Sequence, residues 1–533
     1  MLSMDSSVLP DLQQIPDIAS LNIRQIRSGL EARLFKCVDL VETYVARINE
    51  VNERCRAVIA VHDAAMDVAR ICDSDYELGN PRGELHGVPI LLKDLFNTDD
   101  SHDTTAGSLA LVGARLGIEA TLVRKLRTAG AIILGTTNLS QWANFRSDGM
   151  PEGWSAVGGQ CLGPYAERQN PAGSSSGSAV AARLALAAAC IGTENNGSIT
   201  SPTSRACCIG YKPSVGLVSR TGAWPANVYQ DCPGPLTRSV EDAARIVNVI
   251  SGRDVADPLT DSIPCDFKHL PVGDSNTSHL KGARFAIPRS VIRSSVQDSE
   301  ILTRFEQILD QLREHGAEVV DNVEYPSWTP AFSSETLNFV WSQLGKSMDE
   351  YFRTLKVNPH NVRSIDDLLT FMGSCPQEEL SRYGASRLIK AKESPSLGHE
   401  AFSARLAKGS EIATILEQHN CDAILIPVGC RNPADLGQCP VMSLPMGFYS
   451  SERELSTDKH GMTLKGPNIP FGMLMIGKKW SDHKLVVLAA AYEKMIQEWR
   501  ETMDQPVFLP TTELRDVLRK KLKKQFMSQY PFL

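Results

Sequence analysis

Residues 172–180 read AGSSSGSAV, four serines and two glycines in nine positions. Composition favours a flexible linker, because Gly/Ser tracts behave as coil. Pattern favours something else: Gly173-Ser174-Ser175-Ser176-Gly177 fits G-x-S-x-G, the strand-turn-helix elbow that exposes a nucleophilic serine. The flanks argue against both. Downstream, SAVAARLALAAAC (178–190) reads as a tightly packable small-residue helix ending in cysteine, so the stretch is a turn inside a fold. Upstream, YAERQNPA (165–172) is polar and holds Pro171, so it is no buried strand and an elbow centred on Ser175 fails.

Helix-then-strand units recur outward from this turn. EATLVRKLRTAG (119–130) has helical apolar spacing and stops at Gly130, and AIILG (131–135) follows as a short apolar strand. The unit returns at 298–316. There Ile301, Leu302, Phe305, Ile308, Leu309 and Leu312 form one stripe, Asp298 caps the start, Gly316 ends it, and AEVVD (317–321) supplies the strand. RFAIP (284–288) and DAILIPV (422–428) read as further buried strands. This alternation predicts an α/β/α layered domain with a largely buried sheet. Residues 328–420 differ: SIDDLLTFM and EAFSARLAKGSEIATILEQH are helical and no strand is evident, which predicts a helical layer added to the sheet on the substrate side.

Bulk properties narrow the function classes. A chain of 533 residues can bury a large core and has room for more than one domain. Hydrophobic content of 42%, charge of 22% and a net charge of −7 describe an ordinary globular protein with no electrostatic footprint for nucleic acid. The basic run RDVLRKKLKKQ (515–525) is read as a solvated helix face. The first residues, MLSMDSSVLPDLQQ, lack the apolar core of a signal peptide, and no apolar run predicts membrane insertion. Thirteen scattered cysteines show no metal-ligand spacing, so reduced thiols, a cytoplasmic location, no metal and no cofactor are expected.

Three segments carry chemistry. In GVPILLKDLFNTDD (87–100), Lys93 closes an apolar run; alone it reads as a surface or structural lysine, but buried it would lose its proton easily and serve as a base. The second segment is the serine-rich turn. The third, GTENNGSITSPTSRACCIGYKPSVG (192–216), has Gly, Asn and Ser across 195–198. That is either a plain loop or a turn that aims successive backbone N–H groups at one point.

Taken together the three segments resemble the amidase signature family of serine hydrolases, as GVPILLKD, AGSSSGSAVA and GTENNGSITSP followed by GYKPSVGLVSR. TTAGSLAL, GAIILGTTNLSQWANF, GWSAVGGQ, QDCPGPLTRSVEDAARI, CPVMSLPMGF and GPNIPFGMLMIGKKW extend the likeness. GTENNGSIT and VGLVSRTGAWPANVYQD look closest to the branch that holds peptide amidases and many fungal and bacterial amidases. The resemblance implies one domain over 1–533, with a signature core at about 85–250, a helical substrate-side region at about 328–420 and a helical tail at about 480–533. It also implies a central mixed sheet covered by helices on both faces. By motif, Lys93 matches the general base, Ser174 the relay serine after a typically cis peptide bond, and Ser198 the nucleophile. The backbone of Asn195, Asn196, Gly197 and Ser198 matches the oxyanion hole. Gly173, Ser175, Thr200 and Asp231 are supporting residues, and Asn138 with Gln230-Asp231 holds the loops.

Two departures stand out. Many members have glycine where this chain has Asn196, whose side chain is expected to narrow the pocket. Many also have arginine where this chain has Thr200, which points away from a substrate carboxylate and towards a neutral amide. An Arg205–Glu194 pair is left open. The expected activity is hydrolysis of a small or medium neutral carboxamide, with the substrate pocket lined by 328–470. Acyl transfer to an amine or alcohol shares the first half of that mechanism. A non-catalytic homologue and a component of a tRNA-dependent transamidase are weaker readings. A small-molecule amide is the expected partner, without nucleic acid, and a homodimer is left open.

Overall fold

The computed structural model describes residues 15–529 apart from 274, 322, 327–329, 396, 431–433 and 502–504. Eleven of its strands make one sheet: β1 (Val58–Val61), β2 (Pro89–Lys93), β3 (Ile132–Thr137), β4 (Ala189–Glu194), β5 (Ile209–Lys212), β6 (Cys232–Thr237), β7 (Arg284–Ile287), β8 (Glu318–Asp321), β9 (Ala423–Pro427), β10 (Val441–Phe448) and β11 (Pro470–Ile476). Their order is β1-β3-β2-β4-β6-β5-β10-β11-β9-β7-β8. β3, β2 and β4 run parallel to one another, as do β9, β7 and β8, and antiparallel pairs join the two groups. The sheet is therefore mixed, and helices flank it. Parallel neighbours need a crossover, and the helix-strand units read from sequence supply it. The helix Thr121–Thr128 leads back to β3, with Gly130 at φ +85° ending it. The helix Ser299–Glu314, capped by Asp298 and ended by Gly316, leads to β8. β8 closes the sheet, and its exposed Glu318 and Asp321 keep that edge polar.

One expectation needs correction. SAVAARLALAAAC is not one helix. The helix α1 (Ser176–Arg183) ends early, Ala185 turns at φ +49°, and Ala189–Glu194 becomes β4. Alanine favours helix weakly, and pairing overrides it: β4 bonds to β2 on one side and β6 on the other, deep in the sheet.

The helical region is likewise displaced from its expected place. Its described residues between 330 and 420 form helices and no strand, as expected. Yet Trp341, Leu344, Met348, Phe352, Leu368 and Leu388 do not cover the sheet. They pack with Leu95, Leu111, Trp142 and Trp224 on loops beyond the strands. A buried ion pair ties the region down: Arg146 and Glu378 are both wholly buried, and Glu378 also accepts from Ser108 Oγ at 2.6 Å and Gln141 Nε2 at 2.7 Å.

The basic C-terminal run forms the helix Leu514–Gln529, which buries Leu514 against the core. Lys521 bonds Asp39 at 2.6 Å and Arg515 bonds Asp17 at 2.5 Å. Among the described residues no helix is long and apolar enough to cross a membrane.

Candidate active site

β2 and β4 are parallel neighbours, so their carboxyl ends lie at the same edge of the sheet, where open α/β sheets place their sites. β2 ends with Lys93 and is buried throughout. The Lys93 side chain is completely buried. Its Nζ lies 2.7 Å from Ser174 Oγ, 2.9 Å from Ser175 Oγ, 3.0 Å from Thr193 Oγ1 and 3.5 Å from the Thr193 carbonyl. No carboxylate among the described residues pairs with it directly. Burial lowers its pKa to about 7, partly opposed by the more distant charges of Glu194 and Asp231. An amine poised there can accept a proton near neutrality.

The serine-rich turn is no linker, since Ser174, Ser175, Ser176 and Ser178 are all inaccessible. The Gly173–Ser174 peptide bond is cis. A Cβ on Gly173 would sit 2.3 Å from Ser140 Oγ, so a side chain there would displace that hydroxyl. Each neighbouring hydroxyl has its own tie: Ser176 Oγ donates to the Ala172 carbonyl at 2.5 Å, and Ser178 Oγ bonds Thr137 Oγ1 at 2.7 Å. The Ser175 hydroxyl donates to the Thr193 carbonyl at 3.2 Å, and its backbone N–H donates to the Ser198 carbonyl at 3.0 Å. That last bond joins the serine-rich turn to the turn after β4.

Residues 195–199 form this second turn, leading into the helix α2 (Thr200–Ala206). Asp231 accepts from Asn195 Nδ2 at 3.1 Å, and from the backbone N–H groups of Ala226 and Asn227. Asn196 Nδ2 donates to Asp435. Only Gly197 takes a positive φ within 195–198, at +79°. Asn196 is thus unstrained, and its side chain goes to Asp435 rather than into the cavity beside Ser198. The backbone N–H groups of Asn195, Asn196, Gly197 and Ser198 donate to no protein acceptor among the described residues, which leaves them available to a negatively charged oxygen. Replacing Gly197 by alanine would force a Cβ to 3.0 Å from Ser201 Oγ in a left-handed conformation. The expected outcome is a loss of about 1 kcal/mol in thermal unfolding and at least about a tenfold fall in kcat, as the N–H groups are displaced.

Ser198 is half-buried and opens on a cavity of about 310 Å³. Its walls include Leu95, Phe145, Trp224, Val228 and Pro258. The cavity's charged groups are already engaged: Arg220 Nε bonds Asp257 at 2.8 Å, and Asp231 is held as described. Against the expectation that 328–470 would line the pocket, the described lining residues of this cavity run from Leu95 to Pro258. The helical region acts from behind, where Trp341 meets Phe145 edge-on at 5.7 Å and Phe352 meets Trp142, itself packed on Trp224, at 5.9 Å.

A model of the amidase family matches residues 39–486. The chain belongs to the amidase family. Amide hydrolysis is the activity that membership carries. A fungal protein of Arthroderma benhamiae, named provisionally as an amidase, is 36% identical over 522 residues, covering 92% of this chain and 88% of its own. The native peptide amidase of Stenotrophomonas maltophilia superposes with a TM-score of 0.80 at 33% identity, covering 92% of this chain and 99% of that one. A glutamyl-tRNA(Gln) amidotransferase chain of Acinetobacter baylyi is 29% identical over 90% of this chain and 96% of its own.

Other sequence expectations for this amidase meet mixed outcomes. Asn138 does brace loops, bonding Arg56, Gly159, Leu139 and Ser155. Gln230 accepts from Asn227 at 2.7 Å. The Arg205–Glu194 pair does not form. Arg205 donates to the carbonyls of Asn170 and Thr463, whereas Glu194 accepts from Ile199 and Thr200. Thr193, Glu194, Asp435 and the Arg220–Asp257 pair were not singled out as site residues. Thr193 and Glu194 lie inside the 192–216 segment itself, but nothing local marks Asp435, which meets Asn196 from a distant part of the chain.

The described residues also gather His62, Asp100 and His102, which sequence spacing does not bring together. They make a poor metal site. The imidazoles stack at 3.7 Å and 7°, so their in-plane lone pairs run side by side instead of converging, and Arg127 already bonds Asp100 at 2.7 Å.

Proposed function

We propose that the protein is a serine amidase that hydrolyses small or medium neutral carboxamides through an acyl-enzyme on Ser198. The observation that carries this reading is the buried Lys93 amine 2.7 Å from Ser174, in a turn bonded to the Ser198 backbone. A serine hydroxyl is a weak nucleophile until a base removes its proton. Neutral Lys93 takes the proton of Ser174 as Ser174 takes that of Ser198. Ser198 attacks the amide carbonyl, and the N–H groups of 195–198 stabilise the oxygen as it gains charge. The proton then passes back to the leaving amine, and water activated by the same relay releases the acid.

The cavity supports the substrate class. Its apolar walls suit a ring-sized apolar group, and with Arg220 paired to Asp257 its described lining offers no free cation to a substrate carboxylate. Thr200 fits the same reading, since its hydroxyl is engaged by Glu194 at 3.1 Å. The continuous eleven-stranded sheet supports the reading of one domain.

The experiment is a panel of neutral, anionic and cationic amides, matched esters and C-terminally amidated peptides, with product analysis with and without added amine or alcohol. Uncharged apolar amides are expected to give the highest kcat/KM, with free acid as product. Preference for anionic amides would contradict the substrate class, and transfer products dominating over acid would contradict hydrolysis.

A further inference from the structure

Glu194 is a buried carboxylate that the relay does not use, and its position is informative. It is the last residue of β4, one residue past Thr193, whose hydroxyl and carbonyl Lys93 Nζ reaches at 3.0 and 3.5 Å, and only 4% of it is exposed. Its Oε2 accepts from the backbone N–H of Ile199 at 2.7 Å and of Thr200 at 2.8 Å, and from Thr200 Oγ1 at 3.1 Å. The first N–H groups of a helix lack partners within it. At α2 the N-cap residue Ile199 offers no side-chain bond, so Glu194 fills that role from upstream. The chain therefore leaves β4, runs through 195–198 and is pinned again to the strand end it left. Between the two anchors lie the four N–H groups that no acceptor among the described residues claims.

We propose that Glu194 is a positioning residue, whose carboxylate closes the Ser198 turn through Ile199 and Thr200 and sets the charge against which Lys93 gains or loses its proton. This rests on the Ser198–Lys93 reading above. Two roles meet in one group because of where β4 ends. The charged groups that bear on Lys93 are Glu194 first and Asp231 second. Around Glu194 itself stand Lys93, the Cys232 thiol on β6 and Asp435, and Lys212 bears on both Cys232 and Asp435. Asp231 and Asp435 each hold one asparagine side chain of the turn, whereas Glu194 holds backbone N–H groups at its far end. A cation two residues past the nucleophile is unnecessary here, because Thr200 and two N–H groups satisfy the carboxylate.

The test is the pH profile of kcat for wild type, Glu194→Gln and Glu194→Asp, with thermal melts to confirm folding. Glu194→Gln removes the charge and half the accepting capacity. It is expected to cut kcat by about tenfold or more with KM little changed. Loss of a nearby negative charge makes the ammonium form of Lys93 less stable, so the acid limb should move down by about one pH unit. Glu194→Asp keeps the charge but is one methylene shorter: kcat should fall while the limb stays in place. A purely structural role would scale the whole profile without moving the limb. If Glu194→Gln does not fold, Glu194→Asp and Thr200→Val carry the test, each losing kcat at unchanged KM. The inference is overturned if Glu194→Gln folds and leaves the limb where it was, or if both substitute variants keep full kcat. Should the wild type show no acid limb near neutrality, the Lys93 reading fails, and this inference with it.

Discussion

Replacing Ser198 by alanine should lower kcat by at least about 10⁴-fold, the scale on which removal of a serine nucleophile acts. The fold should be untouched. Ser198 is half-buried, its Oγ has no protein partner among the described residues, and the tie to Ser175 uses the Ser198 backbone carbonyl. Truncation therefore removes the attacking oxygen and leaves no stranded donor. Steady-state turnover on the best amide of the panel, beside an unchanged melting temperature, is the check. Turnover within tenfold of wild type would remove Ser198 from the mechanism.

Lys93→Ala is expected to reduce kcat by about 10³-fold, within the usual range for a lost general base. It also empties a buried site, so Lys93→Met is the volume-keeping companion, with the same loss expected and less effect on stability. The wild-type pH dependence follows from the same group. Burial holds the Lys93 pKa at about 7, and only the neutral amine can accept a proton. Activity should therefore be low under acid conditions, rise as pH passes through about 7, and level off above it. A profile flat from pH 5 to 9 would contradict lysine as the base.

Much of the fold could be read locally. β2, β3, β7 and β9 appear as apolar runs, and the helix 299–314 shows its stripe and both ends. The failures share a cause. SAVAARLALAAAC looks helical because alanine is helical in isolation, and only pairing with β2 and β6, remote in sequence, makes its last part a strand. The helical region's place is not legible in the sequence for a similar reason. Its apolar faces could be counted, but what covers them, the loops around Trp142 and Trp224, is fixed by tertiary packing. In the site, motif resemblance named Lys93, Ser174 and Ser198, and the structure brings Lys93 within hydrogen-bonding distance of Ser174 and bonds the Ser175 backbone to that of Ser198. It did not name Thr193 beside the lysine, the backbone role of Glu194, or Asp435 on Asn196, because each depends on which atoms a turn presents. Charge complementarity suggested Arg205 for Glu194, yet backbone N–H groups took the carboxylate instead.

The most direct test of the central claim is to treat the active enzyme with a fluorophosphonate and locate the adduct by peptide mass spectrometry. The account predicts one modified residue, Ser198, with labelling lost in Ser198→Ala and slowed in Lys93→Met. An adduct on Ser174 or Ser175, or an enzyme that stays fully active and unlabelled, would contradict it.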